Sequence, residues 1–236
     1  MGERNTWSVF LDLDNTILDF SRAERTALRK TLAERGVEPT DAVLRRYVDF
    51  NIYCWEQLEN GLMTREEVLV RRFELLFEEL GVSLDGAEAC ARYEGLLHFG
   101  YWLIPGAEET LQRLAPDYDL YLASNGVASV QHSRIEGAGI ARYFRDIFIS
   151  EELGAVKPQR AFFDACFARI PAFDPTRALM VGDSLTSDIR GGVNAGIRTC
   201  WLNYNKKPGR EDIRPDYEIN SVTELPALLA RLEAEG

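Results

Sequence analysis

From Tyr101 onward, short apolar runs alternate with segments of helical period, and that alternation leaves few folds open. The runs are Leu120-Tyr121-Leu122-Ala123, Asp146-Ile147-Phe148-Ile149, Ala178-Leu179-Met180-Val181 and Thr199-Cys200-Trp201-Leu202, with Tyr217-Glu218-Ile219 as a shorter last member. They are apolar at successive positions more than at alternate ones, which is the pattern of strands buried on both faces. The segments between and after them (108–114, 127–136, 160–169, 189–195 and 222–232) have the composition and period of helices. A helix between successive strands makes the strands parallel, so the expectation is an α/β fold, a doubly wound parallel sheet with helices on its faces.

The same kind of run opens the chain. Val9-Phe10-Leu11 leads into Asp12-Leu13-Asp14-Asn15-Thr16, so a buried strand ends in two carboxylates one residue apart and a hydroxyl. Open α/β sheets bind ligands beyond the carboxyl ends of their strands. Residues i and i+2 of a strand share a face, which lets Asp12 and Asp14 address one small volume. Carboxylates held that close repel, so a cation or a shared proton is expected between them. In isolation such a pair is better read as a solvated acidic turn. What else falls at strand ends decides the matter.

Between the first strand and Tyr101 the pattern is helical throughout. Residues 22–35 are rich in helix formers and stop at Gly36. Thr40 can cap a second helix whose apolar face runs through Leu44, Tyr47, Val48, Trp55 and Leu58 to a stop at Gly61. Thr64-Arg65-Glu66-Glu67 is a capping box that opens a third, with Leu69, Phe73, Leu76 and Leu80 inward and Gly81 at its end. A fourth starts near Asp85 and runs towards His98. Successive helices with no strand among them predict a compact helical module, 18–100, inserted into a sheet core formed by 1–17 and 101–236.

Composition narrows the classes of function. The formal net charge of −11 argues against a nucleic-acid polymer or an anionic membrane as partner, while a small anion bound through a metal stays compatible. The first residues lack the apolar core of a signal peptide, and no apolar run spans a bilayer, so a cytoplasmic protein is expected, as a monomer or homodimer. Cys54, Cys90, Cys166 and Cys200 are scattered singly and read as free, mostly buried thiols. His98 and His132 are the only histidines, which leaves little for a serine or cysteine triad.

Three further polar groups fall at or just beyond strand ends. Ser124-Asn125 closes one run, Lys157-Pro158 follows another, and Asp183 with Asp188 follows a third. Singly these are an ordinary turn, a surface lysine and a helix-end charge. In a parallel sheet the strand ends lie along one edge, so together they converge on Asp12 and Asp14.

This ordered set resembles the haloacid dehalogenase (HAD) superfamily over nearly the whole chain. Asp12-Leu13-Asp14-Asn15-Thr16 matches the first motif of that family, D-x-D-x-T; Ser124 matches the second and Lys157 the third. Gly182-Asp183-Ser184-Leu185-Thr186-Ser187-Asp188 matches the fourth, G-D-x-x-x-x-D. The helical insertion resembles the family's C1-type cap on a Rossmann-like core. The resemblance implies a hydrolase with Asp12 as nucleophile and Asp14 as general acid and base. It also implies Mg²⁺ bridging Asp12, the carbonyl of Asp14 and Asp183. Ser124, the backbone beside Asn125, and Lys157 would hold the phosphoryl oxygens, with Asp188 and Thr16 behind them.

The carboxylate at Asp14 favours phosphoryl over carbon–halogen chemistry, and no Schiff-base lysine is evident in the cap. Within the family the closest likeness is to the pyrimidine 5′-nucleotidase branch. It rests on Ala123-Ser124-Asn125-Gly126-Val127, Ser150-Glu151-Glu152-Leu153-Gly154, 181–189, Asn194-Ala195-Gly196-Ile197 and Cys200-Trp201. A small phosphorylated metabolite is the expected partner, with a nucleoside 5′-monophosphate first. Sugar-phosphate or phosphoglycolate phosphatases, a phosphomutase and a non-catalytic phospho-receiver-like module are the alternatives. Among the inserted aromatics, Phe50 and Tyr53 lie off the apolar stripe and are the candidates for stacking on a base.

Overall fold

The computed structural model describes residues 6–235. Their strands are β1 (Ser8–Leu11), β2 (Asp119–Ser124), β3 (Asp146–Ile149), β4 (Ala178–Gly182), β5 (Arg198–Leu202) and β6 (Tyr217–Ile219). They form one six-stranded parallel sheet in the order β3-β2-β1-β4-β5-β6. The chain builds outward from β1 on one side, then returns to build outward on the other. That reversal beside β1 is where doubly wound sheets open a ligand crevice.

Burial on both faces explains the continuous apolar runs. Val9 and Leu11 join Leu120, Leu122, Leu179 and Val181 on one face, under α5 (Ala107–Leu114), Ile135 of α6 (Ala128–Gly137) and α10 (Leu225–Glu235). Phe10, Tyr121, Phe148, Ala178 and Met180 face the other way, against Phe162, Phe163 and Cys166 of α8 (Arg160–Phe167) and Ala195 of α9 (Arg190–Ala195). A short α7 (Ser150–Leu153) follows β3 directly.

The described residues divide into two compact units, one of residues 6–19 with 101–235 and the other Phe20–Gly100. Within the first, Leu18 bridges to Leu103 and the Asp19 amide donates to the Trp102 carbonyl at 2.8 Å, which sets the outgoing and returning strands of the insertion side by side.

The helical unit consists of α1 (Phe20–Ala33), α2 (Asp41–Glu59), α3 (Arg65–Leu80) and α4 (Gly86–Leu97). Thr40 caps α2, Thr64 and Glu67 form the expected capping box on α3, and Asp85 caps α4. Its core differs in part from the apolar stripes read off the sequence. Asn51 and Cys54 take the buried positions of α2 while Val48 and Trp55 are only half-buried. On α3, Val68, Arg72 and Phe77 are buried where Leu69 and Leu80 are not. For Asn51 and Arg72 the cause is a buried polar chain: Arg72 donates to Asn51 Oδ1 at 3.0 Å and Asn51 donates to Glu24 Oε1 at 2.9 Å. Satisfying these groups with one another lets polar side chains occupy helix positions that would otherwise be apolar. No helix among the described residues is long and apolar enough to cross a membrane.

Candidate active site

The register of β1 fixes the site. Leu11 stands opposite Leu122 on one neighbour and Val181 on the other, so Asp12 emerges level with the ends of β2 and β4. The Asp12 amide still donates to the Val181 carbonyl at 2.9 Å, which keeps its backbone in line with the sheet. Beyond it the chain turns sharply. The amides of Ile17 and Leu18 both donate to the Leu13 carbonyl, and Asn15 takes φ +58°, a left-handed conformation that asparagine tolerates better than most residues.

Lys157 is 1% exposed, and its ammonium has three donors. All three are used, on Asp12 Oδ1 at 2.8 Å, Asp188 Oδ1 at 2.7 Å and the Ala123 carbonyl at 2.7 Å. Its loop is pinned by Asn125, whose side chain accepts from the Lys157 amide and donates to the Lys157 carbonyl, both at 2.9 Å. Asn125 also donates to Ser187 Oγ at 3.2 Å. The Asn125 side chain thus ties the segment after β2 to those after β3 and β4, and Ser124 Oγ accepts from the Gly126 amide.

The turn after β4 is built around Asp188. Ser184 caps residues Leu185–Ile189, a single π-helical turn of a kind frequent at functional sites. Asp188 Oδ2 accepts from the Ser184 amide at 3.1 Å and lies so close to Gly182 that a Cβ there would stand 2.1 Å from it. Trp201 Nε1 donates to the Asp183 carbonyl at 2.9 Å and fixes the position of that residue.

Asp12, Asp183 and Asp188 each present a carboxylate oxygen within 4.8 Å of the others. Burial pushes Asp12 well above the usual carboxylate range; Lys157 pulls it down, and Asp188, Asp14 and Asp183 push it up again. Burial, then Asp188, pushes Asp183 up to about 7. For Lys157, burial works against the charge, but Asp12 and Asp188 outweigh it and the amine is held above its ordinary value. One buried ammonium does not neutralise this many carboxylates. An all-oxygen, net anionic cluster has the donor set that a hard divalent cation takes.

The Asp14 carboxylate stands apart from that cluster, bound by Gln131 and Arg134 of α6. Any part it takes in cation binding would be through its carbonyl. Thr16 is fully buried, and its hydroxyl has no hydrogen-bond partner among the described residues. In the helical unit, Tyr53 is 49% exposed, while the Arg46 guanidinium lies 4.6 Å from the Phe50 ring centroid.

Asp12, Asp14, Ser124, Asn125, Lys157, Asp183 and Asp188 lie together beyond the carboxyl ends of β1, β2, β3 and β4, linked directly or through Gln131 and Ser187. Gln131 and Arg134 join them at Asp14 from the interior of α6. Their only sequence signal is an i, i+3 spacing on the helix that directly follows Ser124.

A sequence model of the haloacid dehalogenase-like hydrolases matches residues 8–196, and the chain belongs to that family. It is 40% identical to the HAD-hydrolase YfnB of Bacillus subtilis strain 168 over 94% of each chain. It is 38% identical to the pyrimidine 5′-nucleotidase PynA of Streptococcus pneumoniae, over 92% of each. Identity to the pyrimidine 5′-nucleotidase YjjG of Escherichia coli K12 is 33%, over 94% of this chain and 97% of that one. A crystal structure of YfnB bound to magnesium superposes with a TM-score of 0.90, covering 95% of this chain and 98% of that one.

Proposed function

We propose that the protein is a Mg²⁺-dependent phosphomonoesterase that hydrolyses nucleoside 5′-monophosphates through an aspartyl-phosphate on Asp12. The observation that carries this reading is the pairing of Asp12, 7% exposed and 2.8 Å from the buried Lys157 ammonium, with a second carboxylate at Asp14 outside the acidic cluster. A nucleophile fixed by a lysine and a separate acid–base group are the two functions that phosphoryl transfer through an enzyme ester requires.

In this reading an oxygen of Asp12 forms the bond to phosphorus while the bond to the ester oxygen breaks and Asp14 gives that oxygen its proton. Asp14 then takes a proton from the attacking water as the Asp12–phosphorus bond breaks and inorganic phosphate forms. Ser124 and the backbone after it hold phosphoryl oxygens. Lys157 fixes the Asp12 carboxylate and adds positive charge beside it, and Asp188 holds Lys157. Asp12, the Asp14 carbonyl and Asp183 would bind Mg²⁺, which would supply charge neutralisation at the phosphoryl group. The nucleotide assignment is supported by the identity to PynA and YjjG over nearly their whole lengths.

Purified protein with Mg²⁺, assayed against nucleoside monophosphates, sugar phosphates and phosphoglycolate, is expected to give its highest kcat/KM with a pyrimidine nucleotide. A sugar phosphate that outperforms every nucleotide would overturn the substrate assignment.

A further inference from the structure

The first turns of α6 carry two side chains that the chemistry above does not use. Gln131 and Arg134 are one helical turn apart and almost wholly inaccessible, at 1% and 0% exposure. Arg134 Nη1 donates to Asp14 Oδ1 at 2.5 Å and to Gln131 Oε1 at 2.9 Å. Gln131 Nε2 donates to Asp14 Oδ2 at 2.7 Å and to Ser124 Oγ at 2.8 Å. Gly126 makes room for this amide: a Cβ there would stand 2.3 Å from Gln131 Nε2. The Asp14 side chain meanwhile keeps 26% exposure.

Each oxygen of Asp14 thus receives a donor from inside the protein, while the group retains an open side. A carboxylate offers about four lone-pair positions, so holding one on each oxygen leaves another on each for a proton. Two donors on two oxygens fix the plane of the group as well as its position. A guanidinium with no exposed surface cannot reach a substrate, so any effect it has on the reaction passes through Asp14.

We propose that Gln131 and Arg134 are positioning residues for Asp14. They orient its carboxyl group for proton transfer to the ester oxygen and from the attacking water. The proposal rests on the phosphomonoesterase reading, in which Asp14 hands its proton to the leaving oxygen as the ester bond breaks and recovers one from water as the aspartyl-phosphate is hydrolysed.

Two substrates separate this role from a purely structural one. From uridine monophosphate the nucleoside leaves as a poor alkoxide that needs a proton, whereas 2,4-dinitrophenyl phosphate releases a stable phenolate that does not. In rapid-mixing experiments with Mg²⁺, Gln131→Met and Arg134→Met should slow phosphoryl transfer from uridine monophosphate by roughly tenfold or more, a part of the 10²–10⁴ that positioned proton transfer contributes in full. Transfer from the dinitrophenyl ester should stay within about threefold of wild type, and its steady state should slow because water activation still needs Asp14. The result is a burst approaching one dinitrophenolate per site. Arg134→Lys, which keeps a cationic donor, should recover part of the loss. Should Arg134→Met not fold, Gln131→Met carries the test. Equal slowing of transfer from both esters, or no slowing from either, overturns the positioning role. A wild-type protein inert towards both overturns the phosphomonoesterase reading, and the proposal with it.

Discussion

Lys157 shows how much of this site is decided by a single side chain. Its ammonium is buried between Asp12 and Asp188, and breaking a buried pair by removing one partner costs about 3–5 kcal/mol because the other charge is left uncompensated. Lys157→Met should lower unfolding stability by about that amount in urea titrations. Adding Asp188→Asn should return part of it, since one of the stranded carboxylates is then neutral. The acidic residues behave in the opposite sense. Burial and Asp188 raise the Asp183 carboxyl to about 7, so the folded protein holds a proton there that the unfolded chain releases near the ordinary carboxylate value. The stability this contributes to the metal-free protein is complete below the unfolded value and is lost as pH rises through about 7. Cation binding needs the ionised form. Calorimetric titrations should therefore show Mg²⁺ affinity falling as pH drops below about 7, with proton release on binding. An affinity flat from pH 5 to 8 would contradict this.

At the scale of elements, the helical unit depends on a polar chain as well as on its rings. Arg72 is 2% exposed, bonds to Asn51, lies 3.7 Å from Glu94 and stacks with its guanidinium 5.0 Å from the Tyr93 ring centroid. Arg72→Ala should destabilise the protein by about 3–5 kcal/mol in denaturant titrations, because Glu24 and Asn51 would stay buried without it. Nothing in the sequence marks Arg72 or Asn51 as interior, since the local pattern assigns polar residues to the solvent and only the tertiary partner reverses that. The same holds for Gln131 and Arg134, which look like ordinary surface residues of a helix. The strands were far more legible. A sheet covered on both faces writes its inner strands as continuous apolar runs, as in the fully buried β1 and β4, and even the partly buried outer strands β3 and β6 begin and end at the residues expected for them. Ser124, Lys157 and Asp183 could be read as site residues because strand ends are local features, whereas which oxygen meets which donor is a property of the packed structure.

At the scale of the whole chain, the proposed function sets a net charge of −11 beside a substrate that is itself an anion. The protein places Lys157 and Arg134, both buried, among Asp12, Asp14, Asp183 and Asp188, and in the proposed account Mg²⁺ completes the balance. In the proposed account Asp12 becomes the covalent carrier of the phosphoryl group, and everything else at the sheet edge serves that bond. The most direct measurement is acid quenching of the Mg²⁺-loaded protein within milliseconds of mixing with phosphoryl-labelled nucleotide, followed by peptide mapping. The account predicts label on the peptide bearing Asp12, absent after chelation and absent in Asp12→Asn, which should fold normally and lose turnover. Hydrolysis by wild type with no label on Asp12, or near wild-type turnover by folded Asp12→Asn, would contradict it.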